Sequence, residues 1–229
     1  MMVVWPGMRV QDGRMPGVKL RGSNGLWYAI LGAWLAAMVV GGGYLWRYKL
    51  TPTGGPSGSP ENWPAASMIP LATDRATLVM LAHPKCPCTS ASVGELSRLL
   101  TDTHNRADAH VLVVRPPGAP EQWEQTGLWD RLAAIPGVTV HADIEGKEAR
   151  RFGATVSGHV VIYEPAGRLL FQGGITGARG HEGENPGRSQ ARSAIMELLA
   201  DGKSPTFGCD LLSAEEIARV SDDEQIDRR

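Results

Sequence analysis

The chain has 229 residues, and 23 lysines and arginines stand against 24 aspartates and glutamates, giving a formal net charge of -1. This length fits one ordinary domain with additional segments, and so balanced a charge excludes a global electrostatic attraction to nucleic acid. Three cysteines are too few for a disulfide scaffold, and their odd number leaves at least one thiol outside any intramolecular disulfide.

The first 24 residues hold several prolines and glycines and four basic residues, and we predict that they are disordered. The next stretch, LWYAILGAWLAAMVVGGGYLW, has no charged residue and is long enough to cross ~30 Å of hydrocarbon as a helix. It therefore predicts a transmembrane helix over residues 25–46. Aromatic residues, which prefer the headgroup level, stand at both of its ends: Trp27, Tyr28, Tyr44 and Trp46.

Two alternatives to an uncleaved anchor are a buried core helix and a cleavable signal peptide. A soluble helix this apolar on all sides is rare, and the run is longer than the apolar region of a typical signal peptide. Four basic residues precede the run, whereas only Arg47 and Lys49 follow it closely. This excess predicts a single-pass protein of the cytoplasmic membrane with its soluble domain on the outer, periplasmic side.

Residues 47–65 include a stretch rich in proline, glycine and serine, TPTGGPSGSPENWP, which predicts a flexible linker. A folded domain is predicted over residues 66–212. Its apolar runs predict buried strands, and its apolar residues at helical spacing predict helices. The predicted strands are Thr77–Ala82, His110–Arg115, Val138–His141, His159–Tyr163 and Leu169–Gln172, and the predicted helices are Thr89–Leu100, 120–134, Gly146–Phe152 and 188–200. Over residues 213–229 we predict one more helical patch and a charged tail.

The predicted order is β-α-β-α-β-α-β-β-α. A parallel start that ends in an antiparallel hairpin and a helix indicates an α/β domain whose mixed sheet is flanked by helices on both faces.

Two cysteines lie where the first predicted strand gives way to a helix, in LAHPKCPCTSAS. Unpaired backbone N–H groups at a helix start stabilise a thiolate, so Cys86 and Cys88 are the predicted reactive centre. Lys85 adds a nearby cation, and His83 adds another when it is protonated. Thr89 or Ser90 is the predicted N-cap. The alternative is that both cysteines are small buried apolar residues.

This strand, cysteine pair and helix resemble the thioredoxin superfamily. Together with GGITGARGHEG and a late FGC, the segment HPKCPCTSAS also resembles a group of membrane-tethered bacterial thioredoxin-like proteins labelled RedB, over roughly residues 66–212. The resemblance implies that Cys86 is the attacking cysteine. The second cysteine of the family falls on Thr89, so Cys88 is displaced from the usual position. The proline that precedes the fourth strand of the family is absent from residues 154–159, which leaves metal binding open.

The resolving cysteine has two candidates. A Cys86–Cys88 disulfide would close a tight, strained and therefore oxidising ring, and we favour it slightly. Cys209, in SPTFGCDLL, is the other candidate if the chain folds back toward the site. The glycine-rich loop 173–187, which contains Arg179, is either a solvent loop or a wall of the cysteine site.

Three functions fit these observations. The first is a membrane-anchored thiol:disulfide redox protein that uses Cys86, Cys88 or Cys209, and Lys85, needs no cofactor and acts on a protein or small-molecule disulfide. The second is a copper-handling module that uses His83, Cys86 and Cys88, with His159, His181 or Cys209 completing the site. The third is a non-catalytic thioredoxin-like scaffold.

Overall fold

A computed structural model describes the chain over residues 24–53, 58–104, 106–213 and 215–216. The chain forms two compact units, residues 1–46 and residues 47–229, and each is described by itself. The predicted disorder of the N-terminal segment and most of the predicted helical patch and charged tail lie outside the described residues.

The first helix, α1, spans Asn24–Leu50 and is long and apolar enough to cross a membrane. Its large apolar side chains are exposed, for example Trp34 and Trp46. The helix continues past the predicted end at residue 46, so that Arg47 and Lys49 lie in its last turn, where positive charge complements the helix dipole. The protein therefore has one candidate membrane span within the described residues.

One six-stranded mixed sheet organises the second unit. The strands are β1 (Ala76–Ala82), β2 (Ala107–Arg115), β3 (Val138–Ile144), β4 (His159–Tyr163), β5 (Leu169–Gly174) and β6 (Gly202–Ser204), in the order β3-β2-β1-β4-β5-β6. The pairs β1–β2 and β2–β3 are parallel, β4 runs antiparallel to both β1 and β5, and β6 is parallel to β5. The predicted mixed sheet, with its parallel start and antiparallel hairpin, is confirmed.

Helices cover both faces of this sheet. They are α2 (Thr89–Asp102), α3 (Gly127–Ala133), α4 (Lys147–Arg151) and α5 (Pro186–Glu197). Successive residues of β1 point to opposite faces, so Leu78 and Met80 join a core with α2 and α5, whereas Val79 and Leu81 join a second core that includes Phe152. Because both faces are covered, every residue of β1 is buried.

Two helices differ from their predicted bounds for local reasons. The helix predicted over residues 120–134 begins only at Gly127, because Gln122 has a left-handed backbone (φ 65°) and the Thr126 hydroxyl caps α3 by accepting the Leu128 N–H. The helix predicted over residues 188–200 begins at Pro186, after Asn185 caps it, and ends at Glu197.

Part of the predicted linker packs on the sheet. The Trp63 ring lies edge-on to Phe152 and Tyr163, with centroid distances of 5.1 and 5.2 Å, and joins the second core. The Tyr163 hydroxyl donates to the Pro60 carbonyl at 2.9 Å. The linker prediction therefore needs correction over residues 58–65. Packing of the Trp63 indole and the hydrogen bond to the Pro60 carbonyl hold this part of the chain against the domain, although it is rich in proline, glycine and serine.

Candidate functional site

Cys86 and Cys88 lie in the turn between β1 and α2. The Cys86 N–H donates to the His83 carbonyl and the Thr89 N–H donates to the Cys86 carbonyl, each at 3.2 Å. Cys88 itself occupies the N-cap position and makes no side-chain capping bond, so the predicted N-cap at Thr89 or Ser90 is wrong. Thr89 is instead the first residue of the helix, and its hydroxyl is used within the site. Cys86 is buried, whereas Cys88 is half-buried.

Cys209 reaches the same place through pairing that the sequence does not signal. The Ser157 N–H donates to the Cys209 carbonyl at 2.8 Å, and the Leu211 N–H donates to the Thr155 carbonyl at 2.9 Å. These bonds flank an antiparallel bridge between Val156 and Asp210. The segment after β6 is therefore fixed beside the loop that leads into β4.

The three sulfur atoms form a compact thiol cluster, made of Cys86, Cys88 and Cys209. All three are free thiols, and their Sγ atoms lie within 4.8 Å of one another. Thiols this close can form a disulfide with one another or bind one soft metal ion together.

Two buried hydroxyl groups connect the cysteine turn to the loop before β4. Thr89 Oγ1 and Ser157 Oγ lie 2.6 Å apart, and Ser157 Oγ also accepts the His83 N–H at 2.8 Å. With the Ser157 hydroxyl donating to Thr89, the Thr89 hydroxyl is free to donate to the Cys86 sulfur. Such a chain of donors strengthens its last bond by polarisation.

The three thiols of the cluster differ in pKa. Burial alone would raise the pKa of Cys86, but hydrogen bonds from the Thr89 hydroxyl, the Cys209 thiol and the backbone N–H groups of Thr89 and Cys209 outweigh it and hold that pKa below its ordinary value. Burial and the nearby Cys86 charge raise the pKa of Cys88, and burial and the Cys86 contact raise that of Cys209 to about 12. Cys86 is therefore the thiol that ionises first.

Arg179, from the glycine-rich loop, is a cation of this site. Its guanidinium donates to the Gly208 carbonyl and to the Thr53 hydroxyl, and it lies 4.8 Å from the centroid of the Tyr48 ring. Its charge partly offsets the upward shift of the pKa of Cys88 and of Cys209. In contrast, Glu182 of the same loop lies away from the cluster and pairs with Arg98 at 2.9 Å.

Lys85 and His83, which precede Cys86 in the chain, both contact the Trp123 ring. The Lys85 ammonium lies 4.3 Å from the centroid of the Trp123 ring, and the His83 ring meets that indole edge-on at 5.5 Å. Burial lowers the pKa of His83, which favours its neutral form. The groups that lower the pKa of Cys86 are Thr89 and Cys209. The role of Lys85 in activating this thiol stays a prediction.

The predicted copper ligands are only partly brought together. Among the described residues, the compact donor group contains the three cysteines and no histidine, so it includes Cys209 but not His83. His159, another candidate ligand, is buried, and its ring contacts the hydroxyls of Ser59 and Thr206 at 3.2 Å.

Neither a protein-family model nor a curated protein matches the sequence. Among solved structures, the chain is similar to a hypothetical protein from Sinorhizobium meliloti, with a TM-score of 0.52, 18% identity, and coverage of 72% of this chain and 96% of that one. It is similar to an uncharacterized conserved protein from Geobacillus kaustophilus, with a TM-score of 0.52, 17% identity, and coverage of 72% and 93%.

A weaker likeness is to a secreted Mycobacterium tuberculosis disulfide oxidoreductase, with a TM-score of 0.37, 13% identity, and coverage of 53% of this chain and 82% of that one. In this chain the cysteine turn joins β1 to α2, the parallel strand β2 follows, and β4 and β5 close the sheet as an antiparallel hairpin. This strand order, with the cysteine turn between the first strand and the helix that follows it, is that of a thioredoxin-like fold, a mixed sheet flanked by helices. One long apolar helix lies near the N-terminus.

Proposed function

We propose that this protein is a membrane-anchored thiol:disulfide redox protein in which Cys86 is the attacking nucleophile. The observation that carries the proposal is that three thiols lie close together and differ in pKa, since only the pKa of Cys86 is lowered. Because the thiolate is the form that attacks a disulfide, this arrangement assigns the first step to one sulfur. The cluster then offers a second thiol within reach for the next step.

The reaction is a pair of exchanges. The Cys86 thiolate attacks a substrate disulfide, so that a mixed disulfide forms and one substrate sulfur leaves as a thiolate. A second thiol of the cluster loses its proton to solvent and attacks the Cys86 sulfur, which releases the other substrate thiolate. The substrate disulfide is reduced by two electrons, and the protein dithiol is oxidised to a disulfide. The same steps in reverse would oxidise a substrate dithiol.

The test is the rate of exchange with glutathione disulfide in three single variants of the full chain. Cys86→Ser should abolish formation of the mixed disulfide, whereas Cys88→Ser and Cys209→Ser should retain it, because each retains the Cys86 sulfur. If Cys86→Ser reacts as fast as the unmodified chain, the mechanism is wrong. Ordinary thiol pKa values with no exchange in any chain would favour a scaffold role instead.

For the location, we propose that α1 holds the domain on the outer side of the cytoplasmic membrane. The support is the length and apolar character of Asn24–Leu50 and the excess of basic residues before it. In a Gram-negative host this side is the periplasm, where disulfides persist. A membrane-impermeant maleimide should label the cysteines of the reduced, denaturant-opened domain in intact spheroplasts. Labelling only after lysis would contradict the orientation.

A second candidate function, binding of copper(I), is favoured by one specific observation. Three sulfur donors within 4.8 Å of one another suit a soft ion that accepts thiolate ligands. Titration with copper(I) under reducing, anaerobic conditions should show tighter binding to the unmodified chain than to the Cys86→Ser/Cys88→Ser double variant. Equal affinity in the two chains would rule this function out.

The resemblance of HPKCPCTSAS to RedB-like proteins is consistent with the proposal, but it names no substrate. We expect the partner to be a protein or a small molecule that carries a disulfide or a dithiol, because these are the groups that undergo thiol–disulfide exchange.

A further inference from the structure

We propose that Cys209, rather than Cys88, is the resolving cysteine, so that the oxidised protein carries a Cys86–Cys209 disulfide between the start of α2 and the segment after β6. This inference rests on the proposed function and names the second residue of its redox couple. It reverses the preference for Cys88 that the spacing of the sequence suggests.

The first support is that Cys209 is held in place against Cys86 by the fold. Its carbonyl accepts the Ser157 N–H at 2.8 Å, and the residues on either side of it are fixed as well. The carbonyl of Gly208 accepts both the Arg179 guanidinium and, at 2.6 Å, the Thr53 hydroxyl. The Cys209 Sγ atom lies within 4.8 Å of the Cys86 Sγ atom, so the two atoms that would bond are already close.

The second support is the backbone at Cys88. Cys88 has the backbone of a right-handed turn (φ -67°, ψ -30°) at the start of α2. Its carbonyl accepts the Ala91 N–H, and the Thr89 N–H returns to the Cys86 carbonyl. A Cys86–Cys88 disulfide has to fit a tight ring into this bonded turn, whereas a Cys86–Cys209 disulfide joins two separate segments that are already side by side.

The second step then balances as follows. The Cys209 thiol releases its proton to solvent, its sulfur attacks the Cys86 sulfur, and the bond between Cys86 and the substrate sulfur breaks. The substrate leaves as a thiolate with the electron pair of that bond. Cys88 stays a thiol throughout.

Peptide mapping distinguishes the two disulfides, because trypsin cleaves after Lys85, Arg98, Lys203 and Arg219. Cys86 and Cys88 then share the peptide 86–98, and Cys209 lies in the peptide 204–219. The full chain is oxidised with glutathione disulfide, its free thiols are alkylated, and the digest is analysed by mass spectrometry. The Cys88→Ser chain serves to show which sulfur of the first peptide is bonded.

We expect the two peptides to be joined by a disulfide in the unmodified chain and in Cys88→Ser. We expect the Cys209→Ser chain, and Cys209→Ala as a second variant, to accumulate a glutathione adduct on Cys86. A disulfide within the peptide 86–98, formed equally fast in Cys209→Ser and in the unmodified chain, would overturn the inference while leaving the proposed function intact. No adduct and no disulfide on Cys86 in any chain would overturn the proposed function itself.

Discussion

The hydroxyl oxygens of Thr89 and Ser157 lie 2.6 Å apart and join the helix that follows Cys86 to the loop that holds Cys209. Ser157 contributes to both sides of this junction, because its side chain contacts Thr89 and its N–H donates to the Cys209 carbonyl. The position of the Cys86 sulfur relative to the Cys209 sulfur therefore depends on Ser157, which takes no part in the disulfide chemistry itself.

Replacing Thr89 by valine should raise the pKa of Cys86. The variant keeps the shape of the side chain but removes the hydroxyl that donates to the sulfur. Since less thiolate is then present near neutral pH, alkylation of Cys86 by iodoacetamide should slow severalfold, and its pH profile should move to higher pH. Thr101→Val is the matched control, because the Thr101 hydroxyl donates to the Ser97 carbonyl on the exposed side of the same helix. An unchanged alkylation profile in Thr89→Val would contradict the assigned donor.

Ser157→Ala should lower both the stability and the reactivity of the protein. The change leaves the half-buried His83 N–H without its acceptor and removes the buried hydroxyl neighbour of Thr89. A lost buried acceptor of this kind costs about 1–3 kcal/mol of unfolding free energy, which urea denaturation measures. Ser189→Ala, at an exposed position of α5, should cost much less. Equal losses in the two variants would show that the Ser157 contacts contribute nothing special.

Gly208→Ala should move Cys209 away from the cluster. A Cβ atom at residue 208 would lie 2.0 Å from the Ser157 carbonyl oxygen, so the strand-like pairing that fixes Cys209 has to shift. The first exchange at Cys86 should persist, while the second step, measured as release of glutathione from the mixed disulfide, should slow. Gly127→Ala is the control, since nothing lies within 4 Å of a Cβ there. Unimpaired glutathione release in Gly208→Ala would contradict the proposed resolving role.

Removing the charge of Arg179 should raise the pKa of Cys209. Arg179 favours the thiolate of that residue, so in a chain whose only cysteine is Cys209, Arg179→Gln should shift the alkylation profile of the thiol to higher pH. Arg168→Gln removes the same charge at the β4–β5 turn, where Arg168 pairs with Glu164. This control should leave the profile unchanged, and equal shifts in both chains would refute a local effect.

Acid should destabilise the domain partly through His159. Burial lowers the pKa of His159 to about 4, below the ordinary value of 6.5, so the unfolded chain binds its proton first as the pH falls. The folded state is therefore favoured above pH 6.5 and loses stability between pH 6.5 and about 4, by up to about 3 kcal/mol from this group. His159→Gln should reduce the slope of unfolding free energy against pH in that window. An unaltered slope would show that His159 is not the titrating group.

The sequence predicts five of the six strands, most clearly where a strand is a continuous apolar run, and it misses the three-residue β6, GKS. β1 lies between two helical layers, so TLVMLA has no polar face to obscure it, and the turn of Glu164–Arg168 is marked by Pro165 and Gly167. Trp63 is different, because a single partly buried aromatic ring within a Pro/Gly/Ser stretch has no periodicity to reveal its packing.

The candidate site is predictable only in its local part. Cys86 and Cys88 follow directly from the strand, the turn and the helix around them. Cys209 and Arg179 arrive through contacts between residues far apart in sequence, and the pairing of residues 209–211 with 155–157 is too short to produce an alternating pattern. The predicted N-cap at Thr89 is wrong because the Thr89 hydroxyl donates to the Cys86 sulfur instead of capping α2.

A redox titration of the full chain against glutathione buffers, with the remaining thiols counted by alkylation and mass spectrometry, shows whether the protein carries a redox-active cysteine pair. We expect three alkylated thiols at the reducing end and one at the oxidising end, with a single two-electron transition between them. Three alkylated thiols at every buffer ratio would contradict a redox-active cysteine pair in this protein.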